Sequence, residues 1–531
     1  MLKQFFDKKL WYVWGGLLAA HILAFLVQHT VWSVIPLVAI GIFAFILTLK
    51  KLEWGLAFAF LEIFIGGHGH LFDFAVGGFS LSVRMVIFGA VMLGWLILLL
   101  QRKVKLVFRP RRDIPWVLFA LALTIGAVNG FLFNNFHNAF DDFNSYLTAF
   151  YILPLISVHW NQENKRLLLL TFTASAVFVA VSTLAFLFAF THLPGKMLRE
   201  LYVFVRDARL AEVTILTVPE KLQMLFPNGA WYFRIFEQSQ FIVLAFEIVF
   251  AAATFTTYRE RGGKLPRAVW AVHALMLSVI YASMSRSFFL GMIAAAVVLF
   301  IGFILDRVRA RVIVERSVMV GLMKLVAAIG LFLLVVFPLP IRPNFTESPF
   351  YNGEDGADRN AAVSSRWNLL PPMMAEIRQS PIVGSGFGEE VTFVTDDPRI
   401  RATNPSGEYT TYRFEWGYQD LWLKMGILGL LAFAAYLIGL YNASASAWAV
   451  WKESRWLPMG FGAAILALFV VHAFSPYLNH PIGLGFMIFV LPFFSWKDPA
   501  EEQEETVAEK SSAKEAIASL AKPRVGVVMK E

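Results

Sequence analysis

No cysteine occurs among the 531 residues of the chain. Thiol catalysis, disulfide bonds and cysteine-based metal sites are therefore excluded. The sequence also has no Walker A motif, no G-x-G-x-x-G motif at a strand–helix turn and no H-E-x-x-H motif, so it does not support an ATP-driven pump or a zinc protease. Charge is scarce as well: 16% of the residues are charged, against about 25% in an ordinary soluble domain.

Apolar residues take the place of the missing charge. They make up 58% of the chain and include 52 Phe, and the mean hydropathy is +0.61. Because a helix needs about 20 apolar residues to cross a bilayer, we predict an all-α polytopic membrane protein with about 12–14 transmembrane helices. The candidate spans lie near residues 11–28, 31–49, 54–67, 82–100, 114–134, 142–158, 167–191, 232–256, 268–284, 287–305, 318–338, 419–441, 457–473 and 480–496.

The basic loops between these spans predict the orientation. Those at 101–113, 258–267 and 306–316 fall on one side, together with both termini, and we assign this side to the cytoplasm. The net charge of +8 is thereby explained by membrane topology and does not indicate nucleic acid.

The opposite side receives two long loops, residues 193–231 and 341–418. Both exceed the roughly 12–15 residues of an ordinary connection, so each is expected to carry function. We expect the second loop to contain short helices. Residues 1–496 form a single transmembrane domain in this interpretation, and residues 497–531 form a charged, disordered cytoplasmic tail.

Three arginines stand at the predicted outer ends of apolar segments: Arg84, Arg234 and Arg286. Membrane proteins normally keep Lys and Arg on the cytoplasmic side. Taken as a set, these outward arginines favour an anionic ligand on the outer face. The alternative is that each one snorkels to lipid headgroups or caps a neighbouring helix.

The second outer loop supplies further charged candidates. Its arginines are Arg366, Arg378 and Arg413. Glu415 stands where the loop meets the membrane, a depth at which ionisable groups are functional candidates. Asp420 and Lys424 are interpreted as an i,i+4 pair within one helix, worth only tenths of a kcal/mol.

Two glycine-rich stretches carry weaker signals. GSGFG at 384–388 could be only a flexible hinge. His68, His70 and Asp73 could bind a metal, but a glycine-rich interfacial turn is the favoured interpretation. We therefore predict no metal site and no cofactor.

Four stretches, taken in order, resemble the O-antigen ligase and polysaccharide polymerase family of bacterial inner-membrane proteins. They are RIFEQSQFIVLAF (234–246), SMSRSFFLGMIAA (283–295), RWNLLPPMMAEIRQSPIVGSGFG (366–388) and EWGYQDLWLKMGILGLLAF (415–433). The position that the ligases usually fill with His is Glu415 here, and the Pro-Asn that usually follows the first arginine is missing. The resemblance therefore implies a polymerase of O-antigen or exopolysaccharide repeat units more than a ligase that acts on lipid A-core.

The resemblance also implies roles for the residues. The donor would be a glycan on undecaprenyl diphosphate, with Arg234 and Arg286 as a diphosphate clamp, Arg84 as an assistant and Glu415 as general base. Arg366, Arg378 and Arg413 would contact the substrate from the loop. The implied partners are the lipid-linked oligosaccharide, the growing polysaccharide, membrane lipids, and chain-length and export proteins. A flippase for the same lipids, or a non-enzymatic assembly component, is the alternative from another class.

Overall fold

The computed structural model describes residues 5–28, 30–76, 79–193, 195–217, 231–260, 266–305, 330–331, 358–450, 456–494 and 496. Helices dominate this part of the chain. They are α1 (Lys9–Val27), α2 (Val34–Lys50), α3 (Leu52–Ile65), α4 (Val83–Leu100), α5 (Pro110–Phe133), α6 (Phe136–Asn144), α7 (Ile152–Ile156), α8 (Gln162–His192), α9 (Gly195–Asp207), α10 (Gln240–Glu260), α11 (Arg267–Ser283), α12 (Arg286–Leu305), α13 (Asp358–Gln379), α14 (Pro398–Thr403), α15 (Gly417–Val450), α16 (Trp456–His472) and α17 (Pro481–Phe489).

Short strands and 3₁₀ turns connect the helices. The strands pair as three antiparallel two-stranded sheets, β1 (Asp73–Val76) with β2 (Phe79–Ser82), β3 (Glu212–Thr217) with β4 (Trp231–Phe236), and β5 (Val391–Val394) with β6 (Glu408–Thr411). The 3₁₀ turns lie at Val31–Ser33, Ser145–Tyr151, Tyr477–Asn479 and Leu491–Phe493.

The prediction of an all-α polytopic membrane protein is confirmed. Within the part of the chain that the structure describes, seven stretches are long and apolar enough to cross a membrane: Lys9–Val27, Val31–Lys50, Val83–Leu100, Pro110–Phe133, Gln162–His192, Gln240–Thr257 and Gly417–Ser444. Shorter apolar helices occupy Arg267–Ser283, Arg286–Gly302, Trp456–His472 and Pro481–Phe493. The direction in which these helices cross a membrane stays a prediction.

Several predicted spans differ in the structure. Segment 142–158 is broken into the end of α6, a 3₁₀ turn and the five-residue α7, which contains Pro154. Segment 480–496 holds only the nine-residue α17 and another 3₁₀ turn. Segment 318–338, apart from 330–331, and the tail 497–531 lie outside the described residues.

The start of segment 232–256 is a strand, so Arg234 does not open a helix as expected. Strand β4 buries Phe233 and Ile235, which are 1% and 0% exposed, while Arg234 points to the other face. This alternation has the period of two that defines a strand. The helix α10 begins only at Gln240.

Aromatic side chains fill the centre of the bundle. Phe172 of α8 lies 5.6 Å from the ring of Phe246 on α10 and 5.6 Å from Phe461 on α16. Phe486 and Phe489 of α17 close the cluster, and all five rings are fully buried. Aromatic packing of this kind holds α8, α10, α16 and α17 in fixed positions under the loops.

Helix α15 is interrupted at Gly426, which has φ 64° and ψ −167°. The stretch 384–388 packs into this interruption: the amide of Ser385 donates to the carbonyl of Leu423 at 2.7 Å. A Cβ on Gly384 would lie 2.6 Å from the amide nitrogen of Gly426, so only glycine permits this approach.

The same stretch is also tied to α5. The side-chain Nδ2 of Asn129 donates to the carbonyl of Gly384 at 3.2 Å, and the side-chain Nδ2 of Asn134 donates to the carbonyl of Phe387 at 2.9 Å. Phe387 is fully buried. The alternative that 384–388 is only a flexible hinge therefore does not hold. The stretch is a fixed connection that sets the position of α13 against α15.

Candidate functional site

A cavity of about 580 Å³ opens at one end of the bundle, which we call the loop end because α10, α12 and α15 all begin there. Six separate segments of the chain contribute to its wall. The lining residues are Glu212, Arg234, Phe236, Gln238, Met284, Ser285, Arg286, Ser287, Leu290, Arg366, Trp367, Glu415, Trp416, Phe474, Ser475, Pro476, Tyr477 and His480.

Arg234 enters the cavity from strand β4. Its Nε donates to the carbonyl of Ser283 at 2.7 Å, which fixes the side chain on the last residue of α11. Its guanidinium lies over the ring of Phe236, with Cζ 4.9 Å from the ring centroid. The hydrogen bond joins Arg234 to the turn that leads into Arg286.

Arg286 is the first residue of α12. The turn before it places Met284 in the left-handed region at φ 47°, a conformation that non-glycine residues adopt rarely. A chain of hydroxyl contacts runs beside this turn: Oγ of Ser287 lies 2.9 Å from Oγ of Ser285 and 3.0 Å from Oγ of Ser475. The first amides of a helix carry no intrahelical partner and attract anions. The start of α12 therefore adds to the positive potential of the arginines.

Arg366 and Glu415 form an ion pair on the cavity wall, through Arg366 Nε and Glu415 Oε2. Both side chains are about half exposed, at 44% and 53%. Burial, together with the nearby charge of Arg286, lowers the pKa of Arg366. The indole of Trp416 donates to the carbonyl of Arg366 at 2.8 Å and holds the two segments together.

These positions bear on the expected diphosphate clamp of Arg234 and Arg286 and on the expected base, Glu415. Arg234 and Arg286 line one cavity, and Glu415 lies on its wall without an ion pair to either of them. The partner of Glu415 is instead Arg366, which had been expected only as a loop contact. An ion pair favours the charged form of both partners. The catalytic and binding roles of all four residues stay predictions.

Arg84 lies behind the cavity wall and does not line it. Its Nε donates to Glu62 at 3.1 Å, and its Nη2 donates to the carbonyl of Gly67 at 2.9 Å. Arg413 contacts Asp141 at 3.4 Å. Arg378 is exposed at the end of α13. The structure therefore does not bring Arg84, Arg378 or Arg413 to the cavity.

Lys424 is the centre of a buried network rather than a member of a surface pair. Its Nζ lies 2.6 Å from Asp420 and 2.8 Å from Asp142 of α6, and its side chain is 2% exposed. Asn479 donates to Asp420 from the turn beside the cavity. The predicted i,i+4 pair of Asp420 and Lys424 is present, but it is part of a larger network. Helix α6 supplies a second carboxylate, and burial removes the solvent screening that keeps a surface pair weak.

The side chains of His68, His70 and Asp73 do not converge on one point. His70 Nδ1 lies 3.6 Å from Asp73, whereas the ring of His68 packs against His480 with centroids 5.5 Å apart. Burial and the charge of Arg84 lower the pKa of His68 to about 4. Among the described residues, no three potential ligands are gathered as a metal site would require.

Sequence reasoning missed Gln238, Glu212 and His480, all of which line the cavity. The His480–Pro481 pair does carry a signal, because proline favours the first position of a helix. The structure shows the corresponding cap: Nδ1 of His480 accepts from the amide of Ile482 at 3.2 Å. That signal predicts a helix start and says nothing of a cavity.

Comparison with known proteins adds one match. Residues 271–434 match the family model described as O-antigen ligase. A search of curated proteins gave no match to the chain. The matched stretch contains Arg286, Arg366 and Glu415, whereas Arg234 and His480 lie outside it. Glycan transfer of the ligase or polymerase type is the activity that this match supports in general terms.

Proposed function

We propose that the protein polymerises lipid-linked polysaccharide repeat units, of O-antigen or exopolysaccharide, at the periplasmic face of the bacterial inner membrane. The match over residues 271–434 supports membership of the O-antigen ligase family. The donor is a glycan on undecaprenyl diphosphate, and both termini of the chain are cytoplasmic. The observation that carries the proposal is one cavity lined by Arg234, Arg286, Arg366 and Glu415.

The arginines suit the leaving group. A guanidinium is planar, stays charged and can bind phosphate oxygens with two parallel hydrogen bonds. Arg234, on β4, is bonded to the carbonyl of Ser283 at one end of a turn, and Arg286 stands at the other end of that turn, where α12 begins. The first amides of α12 add to the positive potential there. Together they stabilise the negative charge that develops on the diphosphate as its bond to the sugar breaks. This arrangement requires no metal ion and no cofactor.

The transfer step needs one base. The acceptor hydroxyl forms a bond from its oxygen to the anomeric carbon, the bond from that carbon to the diphosphate oxygen breaks, and undecaprenyl diphosphate leaves. The hydroxyl proton passes to Glu415. The contact with Arg366 uses Oε2 of Glu415 and leaves Oε1 for the proton.

A ligase that transfers the glycan to lipid A-core is the second candidate, and the description of the matched family favours it. Glu415 weighs against it, because it stands where the ligases resembled here usually carry His. The two activities share a donor and differ in the acceptor. The acceptor is therefore the variable to test.

The experiment offers both acceptors to the purified protein in lipid vesicles. The donor is the lipid-linked repeat unit extracted from cells of the source that lack this protein. A ladder of longer lipid-linked glycans supports the polymerase, whereas transfer only to added lipid A-core shows a ligase. Movement of the donor across the vesicle membrane with no transfer would show a flippase and refute both.

The site variants belong to the same assay. We expect Arg286→Lys to lower the rate by about 10²-fold, as for the loss of one transition-state donor, because a point charge does not reproduce the guanidinium fork. Glu415→Gln keeps the shape and removes the base, so near-normal chain extension would exclude Glu415 from that role. Arg378→Gln, an exposed arginine outside the cavity, is the matched control and should leave the rate unchanged.

A further inference from the structure

One side of the cavity carries neutral polar groups that the transfer step does not use. His480 and Gln238 both border it, and the hydroxyl of Tyr477 connects their segments by donating to the carbonyl of Gln238 at 3.0 Å. The ion pair of Arg366 and Glu415 is made by other segments of the wall. The cavity thus combines charged groups with a neutral hydrogen-bonding set.

The hydrogen-bond role of His480 is fixed by the helix that follows it. Nδ1 accepts from the amide of Ile482 at 3.2 Å, so the ring proton is on Nε2. Burial, with His68 and Arg84 behind the ring, holds the pKa of His480 well below its ordinary value. The imidazole is therefore neutral, and its Nε2–H can only donate. A neutral donor that does not titrate suits a sugar hydroxyl better than an anion.

Gln238 supplies the complementary group. Its Oε1 is buried and has no hydrogen-bond partner among the described residues. A buried amide oxygen without a partner is costly, and such groups in native proteins call for an explanation. The residue also borders the cavity, so a small rotation of its side chain would offer the amide to a ligand hydroxyl there.

We propose that His480 and Gln238 form a sugar-binding subsite beside the diphosphate-binding arginines, in which Nε2–H of His480 donates to one hydroxyl of the transferred glycan and the amide of Gln238 binds another. This inference rests on the proposed function. It assigns recognition of the sugar to residues that are distinct from those assigned to the diphosphate. His480 lies outside the matched family segment.

Two lipid ligands distinguish recognition of the sugar from recognition of the diphosphate. Binding to the purified protein is measured with undecaprenyl diphosphate, which has no sugar, and with the lipid-linked repeat unit extracted from cells that lack this protein. We expect His480→Asn and Gln238→Leu each to weaken binding of the glycan-linked lipid by about five- to tenfold, the usual effect of losing one hydrogen bond. Binding of undecaprenyl diphosphate should stay unchanged.

Asparagine is the informative substitution because it is also a good N-cap. His480→Asn keeps an acceptor for the amide of Ile482, so its thermal stability should match the wild type. Its Nδ2–H₂ group is also a donor, but the shorter side chain cannot place that donor where Nε2–H of His480 lies. His480→Ala removes both functions and should lower the melting temperature. A His480→Asn variant with normal glycan binding would show that the residue is only a cap and would overturn the proposal.

The remaining outcomes are equally decisive. Equal weakening of both lipids by His480→Asn would place the residue on the diphosphate and refute the sugar subsite. Wild-type protein that binds both lipids equally would refute it as well. Wild-type protein that binds neither lipid contradicts the proposed function itself. An unchanged affinity of Arg286→Gln for both lipids would refute the arginine clamp while leaving the test of His480 valid.

Discussion

Glu237 tests how burial of a carboxyl affects the stability of the protein, because it is buried next to Gln238 of the proposed sugar subsite. It is 5% exposed, and Oγ1 of Thr183 donates to it at 3.1 Å. No Lys or Arg in the described part of the chain pairs with it. Burial raises its pKa from 4.5 to about 8, and the hydrogen bond from Thr183 offsets only part of that shift.

The sign of the pH effect follows directly. The unfolded chain releases the proton near pH 4.5, whereas the folded protein holds it to about pH 8. Between these values the folded state binds more protons, so the free energy of unfolding falls as the pH rises. The rise of the pKa from 4.5 to about 8 corresponds to a loss of at most about 5 kcal/mol in the free energy of unfolding. Above about pH 8 the loss is complete.

Glu237→Gln should remove this loss, since glutamine cannot ionise. Melting temperatures in detergent at about pH 5 and about pH 9 measure it: the wild type should lose stability between the two, and the variant should lose much less. Glu408→Gln, an exposed carboxylate on β6, is the control and should follow the wild type. The same pH slope in wild type and Glu237→Gln would refute the reasoning.

Two further predictions concern the supports of the cavity. Lys424→Met leaves two buried carboxylates facing each other and should cost about 3–5 kcal/mol, measured by unfolding in detergent. The triple variant with Asp142→Asn and Asp420→Asn should recover most of that loss, and no recovery would refute a charge origin. Gly384→Ala should destabilise by at least about 1–2 kcal/mol, because its φ of 77° disfavours a side chain. Gly462→Ala, in open space within α16, should stabilise by about 0.5–1 kcal/mol, and equal effects of the two alanines would contradict the packing argument.

Hydropathy was enough to predict the fold class, because crossing a bilayer demands long apolar helices. It could not predict where a span is broken. The segment 142–158 is apolar enough to be a span, yet Pro154 and a 3₁₀ turn divide it. The strand at Arg234 was missed for a related reason: an apolar strand and an apolar helix start have the same average hydropathy, and only the alternation of Phe233 and Ile235 separates them.

Side-chain partners were less predictable than helices. Arg84, Arg234 and Arg286 gave the same sequence signal, yet only the last two line the cavity, because Glu62 and the carbonyl of Gly67 hold Arg84 behind the wall. The pair of Arg366 with Glu415 depends on how α13 lies against α15. That placement is set by glycine contacts at the interruption of α15, which no periodicity encodes.

Part of the cavity wall lies inside the segment that matches the O-antigen ligase family model, and part lies outside it. This division has a consequence for substrate specificity. Arg286, Arg366 and Glu415 lie within the matched residues 271–434, and in the proposed mechanism they act on groups that every donor of this class shares: the diphosphate and the attacking hydroxyl. Gln238 and His480 lie outside that segment and are proposed to contact the sugar, which differs between polysaccharides. Substitutions at these two positions can then change which glycan is accepted without disturbing the transfer chemistry. This separation is possible because the turn at 477–480 is held by its own contacts, Asn479 on Asp420 and His480 on the amide of Ile482, which are independent of the arginines.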